Sequence, residues 1–454
     1  MSTTDATTRD DAPTALRRAI SPRMLVVFII GDILGAGIYA LVGKLAGHVG
    51  GAVWLPLLIA FVVAALTAAS YAELVGRYPR AAGAALYVHR AFRSPLLTFM
   101  VAFAVMLSGI SSASAAALAF GGDYLAQLVT APPMVAALAF LAIITLVNFI
   151  GISESIKVNL VLTIIEASGL VIVLVVGAIA IARGDGDPTR ALVLEAPRGT
   201  WLGVLGATAL GFYALLGFED AVNLAEETEA PSRSFPRALA LGLALTGVVY
   251  VAIAFVAVTL VEPATLATGT GPLQQVVAAG GVAFPPEAFA VIALLAIGNT
   301  ALINMIMASR LLYGMAHEGI VPHVFARVHA RRQTPSVAIV FTVLIAVVLI
   351  ATGSVVRLAQ TTVLLLLVVF ALVNVSVLVV RRTPVAHAHF KTPTWAAALG
   401  AVTCVVLASP ITGRSAEVYA TAGILLAIGA ALWGIGRLVR GPVRDDFDPT
   451  QLVK

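Results

Sequence analysis

Apolar stretches long enough to cross a bilayer recur about twelve times along this chain. They begin near Met24, Ala52, Pro95, Met134, Val158, Leu202, Ala238, Ala288, Ser336, Leu358, Thr394 and Val418. In lipid no water is present to bond exposed peptide groups, so each crossing segment has to satisfy its own backbone, which a helix does. The recurrence therefore specifies an all-α integral membrane protein. Composition agrees: 11% of the 454 residues are charged and the mean hydropathy is +1.01, whereas about a quarter of a soluble domain is charged. The connecting loops are too short for a soluble domain. Residues 24–440 read as one transmembrane domain, flanked by polar tails at 1–23 and 441–454.

The first tail lacks the apolar core and small-residue cleavage site of a signal peptide, and it reads as a disordered cytoplasmic segment. Placing it inside puts Arg17, Arg18 and Arg23 on the cytoplasmic face. Arg77, Arg80, Arg90, Arg93, Lys157, Arg233, Arg237, Arg327, Arg331, Arg332, Arg381, Arg382, Lys391, Arg437, Arg440 and Arg444 then fall on the same face. The opposite loops hold Lys44, Arg183, Arg190, Arg198, Arg357 and Arg414. About 22 of the 28 basic residues thus lie inside, the bias that cytoplasmic loops carry. Both termini are expected in the cytoplasm of a protein of the cytoplasmic membrane. The net charge of +5 reflects that topology, so no nucleic-acid partner is expected. The lone Cys404, in an apolar run, provides neither a disulfide framework nor a thiolate metal site. No metal or cofactor is expected.

Two of the spans are unusual. Residues 24–51 read MLVVFIIGDILGAGIYALVGKLAGHVGG, placing Asp32 and the triplet Gly35, Ala36, Gly37 in mid-span. One reading is a helix interrupted at the triplet. Its second half would start at Ile38 and Tyr39 and turn free N–H groups and a positive dipole end toward an anion. The other is a close helix contact made by small residues. The sixth span, residues 202–227, repeats the design with Gly217 beside Phe218, Glu219 and Asp220. Two interrupted spans at corresponding places suggest two inverted halves of five spans with a binding site between the breaks, and two helices appended.

Carboxylates within a membrane cost roughly 2.5–3.5 kcal/mol at a helix centre on insertion scales and are functional candidates for that reason. Asp32 lies at the first break, and Glu219 and Asp220 at the second. Glu166, in KVNLVLTIIEASGLVIVLVVG, has no basic residue one turn away. A lone desolvated carboxyl is a candidate to take up and release protons, or a neutral packing residue. Glu73 precedes Arg77 by four residues, the spacing of a helical ion pair, and reads as a gate contact. Ser108, Ser111, Ser112 and Ser114 in the third span, and Asn299, Thr300, Asn304 and Ser309 in the eighth, read mainly as hydrogen bonds between helices.

Enzyme signatures are missing. His317 and Glu318 begin a zinc-like pair, but the next histidine is His323, off the required spacing. The run from Gly37 to Lys44 is one residue too long for a phosphate loop, and Leu45 replaces its Ser or Thr. The Gly-Ala-Gly triplet lacks the third glycine of a dinucleotide fingerprint. No ATP motor is present, so pumping has to draw on an ion gradient.

Four stretches carry a resemblance. They are GDILGAGIYALVG from Gly31, YAELVGRYPRAAGAALYVHRAF from Tyr71, GFYALLGFEDAVNLAEETEAPSRSFPRAL from Gly211 and ALINMIMASRLLYGMAHEG from Ala301. With them the chain resembles the amino acid–polyamine–organocation (APC) family of permeases, and most closely its cationic amino acid transporter-like branch. The resemblance implies the LeuT-type 5+5 inverted repeat with spans 1 and 6 interrupted, and secondary transport of amino acids. It implies that Ile33, Gly35, Ala36, Gly37 and Ile38 contact the substrate, with backbone N–H groups on its carboxylate. Carbonyls of Ala214, Leu215 and Leu216, with Gly217, would take its ammonium, and Tyr213 would close over it as a lid and gate. Several proton-coupled members have a lysine in span 5 where this chain has Glu166. That makes Glu166, with Asp32 and Glu219, the candidate for a proton or other coupling ion. A polyamine carrier would leave the span 1 N–H groups unused and lean on Asp32, Glu219 and Asp220. A non-transporting amino-acid sensor would bind without flux, and a channel would need a repeated filter motif that is not found here.

Overall fold

The structure is a computed structural model that describes residues 20–440 apart from 81–82, 151–155, 198, 318–319, 330–331, 333, 384 and 386. The expectations for the tails, including Arg17, Arg18 and Arg444, and those for Arg198, Glu318 and Arg331 lie outside the described residues. Among the described residues regular structure is helical, with two isolated bridges, Ile20 to Thr228 and Gly50 to Leu194. The chain starts with α1 (Pro22–Ile33), α2 (Ala36–Val49), α3 (Trp54–Arg77), α4 (Gly83–Phe92), α5 (Pro95–Phe120) and α6 (Asp123–Ala126). It continues with α7 (Pro133–Ile150), α8 (Ile156–Ala182), α9 (Thr200–Gly211), α10 (Pro231–Leu260), α11 (Pro263–Leu266) and α12 (Pro272–Ala279). The last helices are α13 (Pro286–His317), α14 (Ser336–Thr352), α15 (Val355–Val380), α16 (Thr394–Ala408) and α17 (Ala416–Arg440).

Several starts are legible locally. Ser21, Ser94 and Ser354 each cap a helix, their hydroxyls accepting from the N–H three residues on. The first two are followed by proline at the first helical position, which has no N–H to leave unpaired.

Among the described residues, eight helices are long and apolar enough to cross a membrane, and the bent pair α1 and α2 makes a ninth. Three further apolar helices, Thr200–Leu215, Ser336–Thr352 and Thr394–Ala408, are shorter. They fall on the remaining sequence-expected spans, but at 1.5 Å per residue they stop short of the roughly 30 Å hydrocarbon core.

α3 packs along α10, α5 along both α13 and α15, and α7 along α14. α1 lies against α10 and α8, and α2 against α9. The interrupted spans are thus enclosed by continuous helices, with buried aromatic side chains such as Phe212, Phe218 and Phe370 filling the space beside them.

Candidate substrate cavity between two broken spans

The first break is made by the backbone. α1 ends at Ile33, and Gly35 (φ −36°, ψ −166°) leaves the helical region before α2 begins. The helix resumes at Ala36, two residues earlier than the expected start, because the turn is completed within Leu34 and Gly35. The N–H groups of Gly35, Ala36, Gly37 and Ile38 therefore precede any carbonyl of α2 to which they could bond. One is taken: Ala36 donates to Thr300 Oγ1 on α13 at 3.0 Å. On the other side of the break, Tyr250 Oη donates to the Ile33 carbonyl at 2.6 Å and ties the end of α1 to α10.

The second break is wider. α9 tightens into a 3-10 turn at Phe212–Leu215, Leu216 is extended, and Gly217 adopts φ +124°, a conformation that favours glycine. The sequence suggested helix on both sides of Gly217, but the chain returns to α-helix only at Pro231, through turns and a short 3-10 segment at Ala221–Leu224. A local contact competes with the helix: the Glu219 carboxylate folds back and accepts from Gly217 N–H at 2.8 Å.

The breaks lie back to back. A Cβ on Gly37 would stand 2.6 Å from the Ala214 Cα, and one on Gly217 would stand 2.6 Å from the Asp32 carbonyl oxygen. Beside this crossing is a cavity walled by Gly35, Ala36 and Gly37 from the first break and Tyr213, Leu216 and Gly217 from the second. Asp32, Ile33, Glu219 and Asp220 join the wall, whereas Ile38, Ala214 and Leu215 lie behind it. Among the described residues the wall carries three carboxylates and no Lys, Arg or His.

Several wall residues were expected to serve as interhelical contacts. Ser108, Ser112, Asn299, Thr300 and Asn304 face the cavity, while Ser111, Ser114 and Ser309 bond within the helical packing. Ser112 Oγ lies 2.9 Å from Tyr213 Oη and holds that ring at the cavity. Ser108 with Ser112, and Thr300 with Asn304, stand four residues apart and share one helix face, whereas Asn299 carries no such signal. Asn223 also lines the cavity, and nothing in its local sequence marks it.

The amino acid permease model matches residues 20–431. The chain belongs to the amino acid permease family. It is 28% identical to an uncharacterised transporter of Mycobacterium tuberculosis, over 97% of this chain and 96% of the relative. It is 28% identical to cationic amino acid transporter 4, vacuolar, of Arabidopsis thaliana, over 83% of this chain and 65% of the relative. The branched-chain amino acid permease BcaP of Bacillus subtilis is 26% identical, over 84% of each chain.

In this permease Glu166 stands apart from the cavity. It is fully buried on α8, and neither carboxylate oxygen has a hydrogen-bond partner among the described residues. Thr163 Oγ1, one turn earlier, is likewise unpartnered. The separation from the cavity is thin at Gly31, which lines the cavity and has Thr163 directly behind it: a Cβ there would stand 2.1 Å from Thr163 Oγ1.

Glu73 departs from its expected pairing. Its partner is Arg381, not Arg77: Arg381 Nε donates to Oε1 at 2.8 Å and Nη2 to Oε2 at 2.5 Å, and Thr392 N–H adds 2.7 Å to Oε2. Arg77 instead donates to the carbonyls of Val380, at 2.6 Å, and Thr383. The C-terminal end of α15 accounts for the exchange. Its carbonyls attract the Arg77 guanidinium, and Arg381, just beyond it, offers Glu73 a two-pronged fork that a flexible neighbour on its own helix does not match.

Proposed function

We propose that this permease is a secondary active transporter that carries amino acids across the cytoplasmic membrane by alternating access. In this reading it has twelve spans and cytoplasmic termini, and its first ten spans form two inverted halves of the LeuT type. The packing supports the repeat: α3 with α10, α5 with α13 and α7 with α14 pair spans two with seven, three with eight and four with nine.

The observation that carries the reading is that both broken spans meet at one cavity. The substrate carboxylate sits at the N–H groups of Gly35 and Gly37 and the positive end of α2. Its ammonium sits at the carbonyl end left where the helix stops, at Leu216, the one of the three expected carbonyl residues that lines the cavity. Tyr213 closes over it. Glu73 with Arg381 holds the cytoplasmic end of α3 as a gate, and Glu166 carries the coupling proton. Asp32, Glu219 and Asp220 favour a substrate with a second positive charge, a cationic amino acid in the first place. The same carboxylates favour a second reading, a polyamine carrier.

The test is a thermal-shift screen of the purified protein against amino acids and putrescine, followed by uptake of the stabilising compounds into vesicles. A compound that binds the folded state raises its melting temperature. Stabilisation and saturable uptake of L-lysine or another amino acid is the expected result. Stabilisation by putrescine alone would establish the second reading, and binding without uptake would replace both with a sensor.

A further inference from the structure

A second recess, of about 550 Å³, shares none of the wall residues of the central cavity. Its walls come from three places: His48 near the end of α2, Ser354, Arg357 and Gln360 at the start of α15, and Thr412 and Glu417 where α16 is joined to α17. His48 and the cavity residue Gly37 are eleven positions apart on α2, about 16 Å along its axis. On α15, Gln360 lines the recess and Thr362 the cavity. Two residues turn a helix by about 200°, so the two spaces lie on opposite sides of α15. In the topology proposed above the recess is on the outer face.

The recess is preformed. Arg414, 7% exposed, donates from Nη1 to Thr412 Oγ1 at 3.3 Å and to the Leu407 carbonyl, fixing the connection between α16 and α17. A Cβ on Gly206 of α9 would stand 2.9 Å from the Thr412 carbonyl oxygen and 3.7 Å from His48 Nδ1, so this connection is packed against α9 and the end of α2. Arg357 is anchored through its backbone: its N–H donates to Ser354 Oγ at 3.3 Å and its carbonyl accepts from Thr361 Oγ1 at 2.9 Å.

Two opposite charges line this space. Arg357 Nη1 stands 2.5 Å from Glu417 Oε2, with the Glu417 side chain 69% exposed. An ion pair so open to water contributes little to stability and separates at small loss. A ligand carrying one carboxylate and one ammonium replaces both halves at once, the guanidinium taking the first and Glu417 the second. A plain anion would leave the Glu417 carboxylate beside it uncompensated, and a plain amine would do the same to Arg357. Thr412, Gln360 and His48 add a hydroxyl, an amide and an imidazole for further hydrogen bonds. The volume falls within the range of small-ligand sites, about 300–1,000 Å³.

We propose that this recess is a second amino-acid site on the outer face, in which Arg357 holds the carboxylate and Glu417 the ammonium of the zwitterion. The proposal goes beyond the transport reading and takes from it only the class of ligand and which face is outer.

Equilibrium binding of radiolabelled L-leucine and L-lysine to the purified full-length protein counts the sites. The expected result is two molecules per wild-type protein. Arg357→Gln should weaken one of the two about tenfold, while exchange in vesicles at saturating amino acid keeps the wild-type rate. Arg357→Lys, which keeps the charge, should recover most of that affinity. Gly217→Ala, aimed at the central cavity, should bind a single molecule, and adding Arg357→Gln should remove it. One molecule per wild-type protein, or two held equally well by Arg357→Gln, overturns the proposal. So does a fall in both affinities together with the melting temperature in Arg357→Gln, because the ion pair then serves only to tie α15 to α17. If wild type takes up neither amino acid, the transport reading fails by itself. The outer site then stands if binding still depends on Arg357 and falls if it does not.

Discussion

Gly37 lies so close to Ala214 that a Cβ on it would stand 2.6 Å from the Ala214 Cα and 3.0 Å from its Cβ. The obstacle is partly backbone, which cannot swing aside as a side chain can. Gly37→Ala should therefore push the two breaks apart at a cost of about 1–3 kcal/mol. The expected outcome is loss of amino-acid binding and a lower melting temperature. Gly423→Ala is the control: nothing lies within 4 Å of that Cβ, and in a helix the change should stabilise by about 0.5–1 kcal/mol.

Gly217→Ala meets a double obstacle. Its φ of +124° is unfavourable for any residue with a Cβ, and the Asp32 carbonyl occupies the space. Uptake should fall to background, while the Glu219→Gln variant, which keeps an oxygen to accept from Gly217 N–H, should fold with a melting temperature near that of wild type. Equal loss of folding in both variants would show that the carboxylate charge, rather than the turn, supports this segment.

The Glu73 and Arg381 contact should dominate the C-terminal end of α3. Glu73 is fully buried, and Arg381 is 24% exposed in its side chain, so removing one partner strands a buried charge. Arg381→Ala, which leaves the buried Glu73 carboxylate without its ionic partner, should cost about 3 kcal/mol. A double-mutant cycle on Glu73 and Arg381 should show strong coupling, and one on Glu73 and Arg77 should show almost none. Comparable coupling in the two cycles would contradict the pairing found here.

Asp123 holds the linker between α11 and α12. Its Oδ2 accepts from Thr270 N–H at 2.6 Å and Gly271 N–H at 3.1 Å, and its own N–H donates to Thr270 Oγ1 at 2.9 Å. Lys44 on α2 adds a bond to the Ala267 carbonyl at 2.8 Å. Bonds to a charged acceptor contribute about 1.5–3 kcal/mol each, so Asp123→Ala should raise hydrogen exchange across 263–279 well above that of the neighbouring helices. Unchanged protection would mean that apolar packing on α2, and not the carboxylate, holds the linker.

With Glu166 as the proton site, accumulation by wild type should rise as the outside is made more acidic than the inside. Glu166→Gln cannot ionise, so its uptake should be insensitive to the gradient and should resemble passive exchange. An undiminished response to the gradient in Glu166→Gln would remove Glu166 from the coupling path.

Much of this protein follows from local sequence. The interruption at 35–37 was readable because glycine in mid-membrane weakens a helix and frees groups that lipid cannot bond. Gly217 was readable for the same reason, but the length of irregular chain after it was not. The Glu219 side chain, which competes with the helix there, acts through a bond whose formation depends on the turn itself. Among the polar residues of α5 and α13, four-residue spacing picks out the cavity-facing pairs, yet it cannot say that Thr300 bonds Ala36 from 264 positions away.

The sequence by itself determined that the chain is a succession of apolar helices, with their order, and marked two glycine-bearing places as candidate breaks, because a bilayer imposes its demand on every peptide group in turn. Only the tertiary structure decided which charges pair and which polar groups face the cavity. It set Glu73 against Arg381, 308 positions away, and brought Gly37 onto Ala214. Such contacts depend on which helices lie side by side, and that is settled by the packing of the whole bundle, not by the preferences of any one segment.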